Sequence, residues 1–234
     1  MNVLVACEES QRVCIAFRER GHNAFSCDIQ EPSGGHPEWH VHGDCLKILQ
    51  GGQIVTMDGV THDITKWDLL IAHPPCTFLS NAGARHLYKG GKLQKDRYKK
   101  GMQGKAFFMA FYQANVKRLC IENPIPSRCY GLPPYTQAIQ PYEYGHPYTK
   151  KTCLWLRGLP MLKPTKIIKP IATWCPSGSY SHRHNPKHRG AAGDGNNRAK
   201  NRSKTFDGIA QAMAEQWGNP ENYEMQLTLT WDEV

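Results

Sequence analysis

Short apolar runs alternate with amphipathic segments through the first half of the chain. Val3–Ala6 and Trp67–Ala72 are continuous apolar runs, typical of strands that are buried on both faces of a parallel sheet. Asn23–Asp28 predicts another strand, which ends in an acid. Between Val3–Ala6 and Asn23–Asp28 the spacing predicts a helix from Ser10 to Arg20, with Ser10 as its N-cap and Gly21 as the stop signal.

The same alternation continues further along the chain. Residues 105–116 form an apolar stripe at helical spacing, and Leu119–Glu122 predicts a strand that is closed by Asn123 and Pro124. The Pro-, Gly- and His-rich stretch 31–42 predicts a loop. Repeated strand and helix units of this size predict a doubly wound α/β sheet of Rossmann type, with the functional site at the carboxyl ends of the strands.

The pattern changes after residue 138. Residues 139–144 and 151–156 predict two strands that are joined by Gly145-His146-Pro147, an antiparallel hairpin at a sheet edge. Residues 175–204 are poor in apolar side chains and predict a loop or a small irregular lobe that becomes ordered on a ligand. Residues 205–217 predict a helix whose one face carries Phe206, Ile209, Met213 and Trp217.

These elements predict three parts of the chain. We expect an α/β core at 1–157 and a small basic region at 158–202. We expect the C-terminal helix and tail at 203–234 to return to the core.

The charge is unevenly distributed over the 234 residues. The net charge is +9, but residues 85–105 carry +7 and residues 157–204 carry +10, which leaves −8 on the remainder. Two basic segments on an acidic body are what a binder of a phosphate backbone needs, although either segment alone could simply be a solvated surface. Charge therefore favours a nucleic acid as partner but does not separate DNA from RNA.

Other features of composition exclude whole classes of protein. No apolar run approaches the length of a bilayer span, and the N-terminal residues have no secretory pattern, so we expect no membrane association. The nine cysteines are scattered without a CxxC pair, which predicts reduced thiols in the cytoplasm. Cys175, His182, His184 and His188 do not match a zinc signature, and we expect no metal.

Polar side chains at predicted strand ends carry the candidate chemistry. Asp28 could accept the two hydroxyls of a ribose, and Asp44 an adenine amino group, although either acid could instead cap a turn. Pro74-Pro75-Cys76 would present a thiol at the sheet edge, where it could act as a nucleophile or be a buried turn residue. Glu122 ends the next predicted strand and could act as an acid toward a bound ring.

The order of these segments resembles the DNA cytosine-5 methyltransferases, most of all the small phage-borne members. Leu4–Arg12 resembles their first cofactor motif, and Pro74–Ser80 is similar to their nucleophile loop. Ile121–Asn123 looks like their ENV motif, and Tyr144–Leu154 resembles the hairpin motif before the recognition region. The resemblance implies a class I methyltransferase fold, S-adenosyl-L-methionine as cofactor and DNA as substrate, in a bacterial host's cytoplasm if the chain is phage-encoded. It shows no need for an obligate protein partner.

The resemblance also implies roles for individual residues. It implies that the catalytic residues of this chain are Cys76, Glu122 and Lys150. The cofactor-binding residues that it implies are Ala6, Cys7, Glu8, Glu9, Ser10, Asp28, Ile29, Asp44, Cys45 and Pro74. The DNA-binding residues that it implies are Ser80, Arg85, Lys89, Lys92, Arg183, Lys187 and Arg189.

Two departures from the family pattern leave alternatives open. Residues 7–10 replace the glycines of the first motif with bulkier and acidic residues. These acids could bind the ammonium of the cofactor, or the chain could use another cofactor or none. In the hairpin motif the arginine that contacts the base carbonyl has no equivalent, unless Lys151 or a mobile loop at 85–105 supplies it. The alternatives are C5 modification of a free nucleotide or RNA, and an inactive DNA-binding protein.

Overall fold

A computed structural model describes residues 1–174 and 203–219. In chain order its strands and longer helices are β1 Asn2–Ala6, α1 Arg12–Arg18, β2 Asn23–Asp28, β3 His40–His42, β4 Gly52–Val55, β5 Thr61–Ile64, β6 Leu69–Ala72, α2 Asn81–Ala84, β7 Tyr88–Lys89, β8 Lys92–Leu93, α3 Lys95–Tyr112, β9 Arg118–Pro124, β10 Gln137–Ile139, β11 Tyr148–Thr149, β12 Thr152–Arg157, β13 Ala172–Thr173 and α4 Asp207–Trp217. Of these helices, none is long and apolar enough to cross a membrane.

Seven strands form the central sheet, in the order β10-β12-β9-β6-β1-β2-β3. Its strands are parallel except for β12, which runs antiparallel to both of its neighbours. The doubly wound α/β prediction with an antiparallel edge is therefore confirmed. The chain order reverses between β1 and β6, and in open α/β sheets ligands bind outside the carboxyl ends of the strands at such a point.

Alternate residues of β1 supply the cores on the two faces of the sheet. Val3 and Val5 pack with α1 and α4, whereas Leu4 and Ala6 pack with side chains of α3. All four residues are fully buried. This burial on both faces explains why β1 and β6 are uninterrupted apolar runs in the sequence.

The C-terminal helix packs as its sequence pattern predicts. Phe206, Ile209, Met213 and Trp217 are all buried in the core beside α1. Arg12 Nε lies 3.2 Å from Asp207 Oδ1, across the α1–α4 contact. The helix itself begins at Asp207, two residues later than predicted, because Phe206 is its extended N-cap.

Several predicted boundaries were wrong. Helix α1 begins at Arg12, and Ser10 is not its N-cap, because Gln11 takes that position in a left-handed conformation. Within the predicted loop 31–42, His40–His42 forms the edge strand β3. Backbone pairing with β2 forms this strand although only Val41 is apolar.

The region after the nucleophile loop is also more regular than predicted. Helix α3 begins at Lys95, ten residues before its predicted start, and the hairpin β7–β8 precedes it. The basic segment 85–105 is therefore not an irregular loop. Strand β10 ends at Ile139, because Pro141–Glu143 forms a short 3-10 helix in place of the predicted strand residues.

Candidate active site

Two neighbouring strands deliver the candidate catalytic loops to the same edge of the sheet. Strands β6 and β9 are parallel, with Ala72 opposite Ile121. His73 follows Ala72 and Glu122 follows Ile121 in the sequence, so the side chains of His73 and Glu122 lie side by side at this edge. Strand order, which sequence alone does not give, therefore joins two motifs that are almost fifty residues apart.

Hydrogen bonds tie the nucleophile loop 73–80 to the loop 122–127. Asn123 Nδ2 donates to the backbone carbonyl of Pro74 at 2.8 Å, and both residues are buried. The backbone N–H of Ser127 donates to the carbonyl of Leu79 at 2.7 Å. The partly exposed Cys76 is thus held in a loop that adjoins the loop of Glu122.

The far end of the nucleophile loop is shaped by Ser80. Its backbone N–H donates to the carbonyl of Cys76 at 3.1 Å, and its side chain accepts from Gly83 at the start of α2. A Cβ at Gly83 would lie 2.1 Å from the carbonyl oxygen of Thr77. Ser80, predicted to contact DNA, is buried here and caps a helix.

Glu122 is a buried carboxylate with two cationic or protonatable neighbours. His73 Nδ1 lies 3.2 Å from Glu122 Oε2. Burial raises the pKa of Glu122, but the hydrogen bond with His73 and the positive charge of Lys150 outweigh it, so that the pKa lies below its ordinary value. The charge of Lys150 therefore acts on Glu122, and Glu122 is a carboxylate at neutral pH.

Lys150 precedes the reversed strand β12, so its position at the site depends on the direction of that strand. Strand β12 begins at the edge where the parallel strands end. The backbone N–H of Lys150 donates to Gln140 Oε1 at 2.9 Å, and its Nζ lies 5.9 Å from the centre of the Phe206 ring.

The predicted cofactor motif keeps a tight turn without glycine. Cys7 and Gln11 have φ values of 59° and 57°, a left-handed backbone that non-glycine residues seldom adopt. The carboxylate of Glu8 accepts hydrogen bonds from the N–H groups of Val13 at 2.7 Å and Cys14 at 3.2 Å. Glu8 therefore stabilises the start of α1, a role that only the folded geometry reveals.

Three acids lie close together beside this turn. Burial raises the pKa of Glu8 to about 7, and Glu9 adds a smaller effect in the same direction. Burial likewise raises the pKa of Asp28, whose Oδ1 accepts from the N–H of Gln30 at 2.9 Å. Glu9 interacts electrostatically with both Glu8 and Asp28, so the carboxyl ends of β1 and β2 carry a concentration of negative charge.

The other predicted cofactor residues surround this point. Ala6 and Pro74 are buried, Ser10 is 7% exposed, and Ile29 is 75% exposed. Asp44 is exposed, and its side chain caps the 3-10 helix Cys45–Ile48 by accepting from Leu46.

A loop after β2 covers the cofactor motif. Ser33 donates its N–H to the carbonyl of Glu9 at 2.7 Å. The side chain of Gln11 bonds both backbone groups of His36, at 2.8 and 3.1 Å. Gly34 lies against Gln11, where a Cβ would be 2.6 Å from the Gln11 Cβ. The left-handed Gln11 is thus held by its own side-chain contacts.

Three cysteines meet at the same edge. Cys7 Sγ lies 3.9 Å from Cys45 Sγ, and Cys45 donates to the carbonyl of Cys27 at 3.1 Å. Hydrogen bonds from Cys27 and Cys7 lower the pKa of Cys45, whereas the hydrogen bonds with Cys45 and burial raise the pKa of the other two. Within residues 1–174 and 203–219, no group of three or more metal-ligating side chains could hold an ion.

A basic hollow opens beside the nucleophile loop. Its volume is about 700 Å³, and it is lined by Phe78, Arg85, His86, Tyr88, Lys89, Gln94, Lys95, Asp96, Arg97 and Lys100. Two of the predicted DNA-binding residues, Arg85 and Lys89, line it, and Lys92 is exposed on the adjoining strand β8. The sequence did not single out Arg97, whose guanidinium lies 5.0 Å from the centre of the Phe78 ring and donates to the Gly83 carbonyl at 2.9 Å.

Aromatic side chains lie on both sides of residues 175–202 in the sequence. The ring centres of Trp174 and Phe206 are 5.1 Å apart, and Tyr148 lies 4.8 Å from Trp174. Trp174 also donates its backbone N–H to Thr149. The remaining predicted DNA-binding and zinc-type residues lie outside the described residues: Arg183, Lys187, Arg189, Cys175, His182, His184 and His188.

Comparison with known proteins finds similarity only among solved structures. No family profile matches the chain, and no curated protein matches it. A prophage-encoded protein of E. coli, named as a DNA modification methyltransferase, is similar with 14% identity and a TM-score of 0.43, over 74% of this chain and 53% of that one. A triple mutant of Spodoptera frugiperda DNMT2 is similar with 14% identity and a TM-score of 0.38, over 73% of this chain and 57% of that one. The chain thus spans little more than half the length of these two proteins.

Proposed function

We propose that this chain transfers the methyl group of S-adenosyl-L-methionine to C5 of cytosine in DNA, through a covalent bond between Cys76 and C6. The observation that carries the proposal is the joining of the Cys76 and Glu122 loops by the Asn123–Pro74 hydrogen bond at the carboxyl edge of the sheet. A thiol and an acid in adjoining loops can act on opposite sides of one pyrimidine ring.

The chemistry requires both groups because cytosine C5 is a poor nucleophile. Addition of the Cys76 thiolate to C6 moves the C5–C6 π electrons toward N3, where Glu122 supplies a proton. C5 would then take the methyl group as the bond between the methyl carbon and the sulfonium sulfur breaks, which would leave a neutral thioether. Solvent would take the C5 proton, and the electron pair of the breaking C5–H bond would restore the C5–C6 double bond as the thiolate leaves. The proton on N3 returns to the enzyme in that last step.

The residues at the ends of β1 and β2 fit the proposed cofactor. A strand-end acid at the position of Asp28 suits the hydroxyls of a ribose. The carboxyl groups of Glu8, Glu9 and Asp28 are concentrated in this region, where the positive charges of a sulfonium and an ammonium group would favour their ionised forms. The cofactor's contribution is an electrophilic methyl group on that sulfonium. Glu8 already caps α1, so we assign it a structural role and an electrostatic one.

Nucleic acid is favoured over a free nucleotide by the distribution of basic residues. The hollow at Phe78 of the nucleophile loop is lined by Arg85, Lys89 and Arg97, among other residues, and a single nucleotide does not require so extended a basic surface. A cytosine inside a duplex must be turned out of the stack before Cys76 can reach it, at a cost of a few kcal/mol. Phosphate contacts would offset part of that cost.

We place the reaction in the cytoplasm, that of a bacterial host if the chain is phage-encoded. None of the eight cysteines in the described residues forms a disulfide, as a reducing compartment requires. The nucleophile needs a reduced thiol, so the proposed chemistry and the proposed compartment agree.

A mechanism-based trap tests the proposal. Duplex DNA containing 5-fluorocytosine is incubated with the protein and labelled S-adenosyl-L-methionine, since fluorine at C5 blocks the final elimination. We expect a covalent, labelled adduct that Cys76→Ser abolishes and Cys129→Ser, a change at an exposed cysteine, preserves. Absence of both adduct and methyl transfer on any DNA would refute methylation and favour an inactive DNA-binding protein.

Two further arms separate the remaining candidates. Transfer to deoxycytidylate or RNA, but not to DNA, would assign a different acceptor. Titration calorimetry with S-adenosyl-L-methionine should give weaker binding for Asp28→Ala than for the natural chain. Equal binding by the two proteins would contradict the ribose role of Asp28.

A further inference from the structure

His73 adjoins Glu122, and the proposed reaction as stated above does not use it. The two side chains are 8% and 14% exposed, and His73 Nδ1 lies 3.2 Å from Glu122 Oε2. The second ring nitrogen, Nε2, is buried and has no hydrogen-bond partner among residues 1–174 and 203–219. Buried polar atoms are usually satisfied, so an unpartnered ring nitrogen here calls for a functional explanation.

Charged groups face this pair from the strands on both sides. Glu8 follows β1 and interacts electrostatically with His73, and Lys150 precedes β12 and interacts electrostatically with Glu122. The four groups Glu8, His73, Glu122 and Lys150 therefore belong to four consecutive strands of the sheet, β1, β6, β9 and β12. When His73 is protonated, their charges alternate in sign along the edge. A proton on His73 would lie between two carboxyl groups.

A carboxylate with a lowered pKa is poorly suited to donate a proton on its own. Glu122 is in this situation, because the His73 hydrogen bond and the Lys150 charge favour its ionised form. Cytosine N3 nevertheless needs a proton when the thiolate adds to C6. The adjoining imidazole can supply one, since histidine is the side chain that most readily exchanges protons near neutral pH.

We propose that His73 is a positioning residue that orients Glu122 and shares one proton with it during the reaction. The inference rests on the proposed cytosine chemistry. In the resting pair His73 is the imidazolium, with a proton on each ring nitrogen, and Glu122 is the carboxylate. When Cys76 adds to C6, His73 Nδ1 passes its proton to Glu122, which passes it on to N3, and His73 is left as the neutral imidazole. When the thiolate leaves, N3 returns its proton along the same route, so the pair ends the cycle as it began.

Substitutions at His73 separate proton sharing from simple orientation. Asparagine can place an amide N–H near the position of Nδ1 but does not titrate, whereas alanine removes both properties. We expect His73→Asn to lower kcat at pH 7.5 by about 10²-fold, a typical contribution of acid–base catalysis, with KM for DNA nearly unchanged. The optimum of its pH–rate profile should move toward lower pH, because Glu122 must then take its proton from solvent. His22→Asn, at the amino end of β2, is the matched control and should leave rate and profile unchanged.

Two results would overturn the proposal. If His73→Asn kept the natural kcat and pH profile, proton sharing would be refuted. If His73→Asn and His73→Ala lost activity equally, with the natural pH optimum and a lower Tm, His73 would be only a structural residue.

A second measurement is independent of methyl transfer. In NMR spectra of the isotope-labelled protein at pH 7.5, we expect the chemical shift of His73 Nδ1 to differ between the natural chain and Glu122→Gln, because the hydrogen bond with the carboxylate is lost, whereas the ring resonances of His22 should stay the same. The same His73 shift in both proteins would refute the pairing. If no DNA is methylated, the proposed function fails, and this comparison alone decides whether His73 and Glu122 are paired.

Discussion

The side-chain amide of Asn123 donates a 2.8 Å hydrogen bond to the backbone carbonyl of Pro74, within the interior of the protein. This bond connects the loop of Glu122 with the loop of Cys76. Proline supplies no N–H of its own, so the nucleophile loop depends on its carbonyl groups for attachment at this point. The relative placement of the thiol and the acid therefore depends on a residue that reacts with neither.

Replacing Asn123 should weaken both stability and catalysis. In Asn123→Ala the buried carbonyl of Pro74 loses its donor, which we expect to cost about 2 kcal/mol of the free energy of unfolding. For a chain of this size that corresponds to a fall in Tm of roughly 4–8 °C. Adduct formation with 5-fluorocytosine DNA should slow at least tenfold, roughly, because small displacements of reacting groups are costly.

The matched control is Asn115→Ala, since Asn115 is exposed. It should change stability by no more than about 0.5 kcal/mol. Adduct formation by Asn123→Ala at the natural rate would show that the connection between the loops is not needed.

Glu8 should make the protein less stable as the pH rises. Its pKa is about 7 in the folded protein and 4.5 in the absence of burial, so the folded state binds more protons between these values. The contribution of Glu8 to the free energy of unfolding is therefore fully present below pH 4.5 and is lost as the pH rises through 7. The loss amounts to at most about 3 kcal/mol. Glu8→Gln, which keeps an oxygen acceptor for α1 but cannot ionise, should remove this part of the pH dependence.

Urea denaturation of the natural chain and of Glu8→Gln at pH 5 and pH 8 measures the difference. Glu8→Ala, which also removes the acceptor, should be less stable than Glu8→Gln at both values. If the natural chain and Glu8→Gln lost the same free energy of unfolding between pH 5 and pH 8, this pH dependence could not be assigned to Glu8.

Two glycines near the nucleophile loop should respond oppositely to alanine. A Cβ at Gly83 would lie 2.1 Å from the Thr77 carbonyl oxygen, so Gly83→Ala must displace the loop of Cys76. A Cβ at Gly104, within α3, would meet Leu79 at 3.7 Å, an ordinary contact. Gly104→Ala should therefore raise the free energy of unfolding by about 1 kcal/mol through helix propensity.

Thermal denaturation and the trapping rate together test this pair. We expect Gly83→Ala to lower both quantities and Gly104→Ala to raise Tm while leaving trapping intact. The same effect from both substitutions would be evidence against the packing described for the nucleophile loop.

The hairpin β7–β8 should contribute to binding through phosphate contacts. Lys89 and Lys92 are both exposed on it, and each contact with a phosphate steepens the decrease of log K with log salt concentration by about 0.9. The double variant Lys89→Ala/Lys92→Ala should therefore reduce this slope by about 1 to 2, as measured by fluorescence anisotropy with labelled DNA.

The double variant Lys66→Ala/Lys117→Ala also removes two charges, at exposed lysines before the amino ends of β6 and β9 on the opposite edge of the sheet, and should leave the slope unchanged. If both variants reduced the slope alike, binding would depend on net charge and not on the hairpin.

Strands were most predictable where both faces of the strand are buried. The continuous apolar runs of β1 and β6 could be identified directly, because both faces of these strands pack against helices or hairpins. Edge strand β3 was missed because backbone pairing, not side-chain burial, defines it. The first half of α3 was missed for a related reason: residues 95–105 are mostly polar, so they show no apolar stripe.

The candidate site was predictable only motif by motif. Cys76 and Glu122 could each be predicted from their motifs. The role of His73 could not be predicted, because its partner Glu122 is almost fifty residues away in the sequence. Only the pairing of β6 with β9 brings these groups together. The contact of Glu8 with α1 does not follow from the usual N-cap spacing, because its carboxylate reaches N–H groups five and six residues ahead in place of two or three.

The contact between Trp174 and Phe206 has a consequence for how the chain could change in evolution. The two rings lie 5.1 Å apart, on either side of the segment 175–202 in the sequence. The chain before residue 175 and the chain after residue 202 therefore lie close together, near Lys150. Insertions, deletions or wholesale exchange between these two aromatic residues need not stretch or shift any strand of the central sheet.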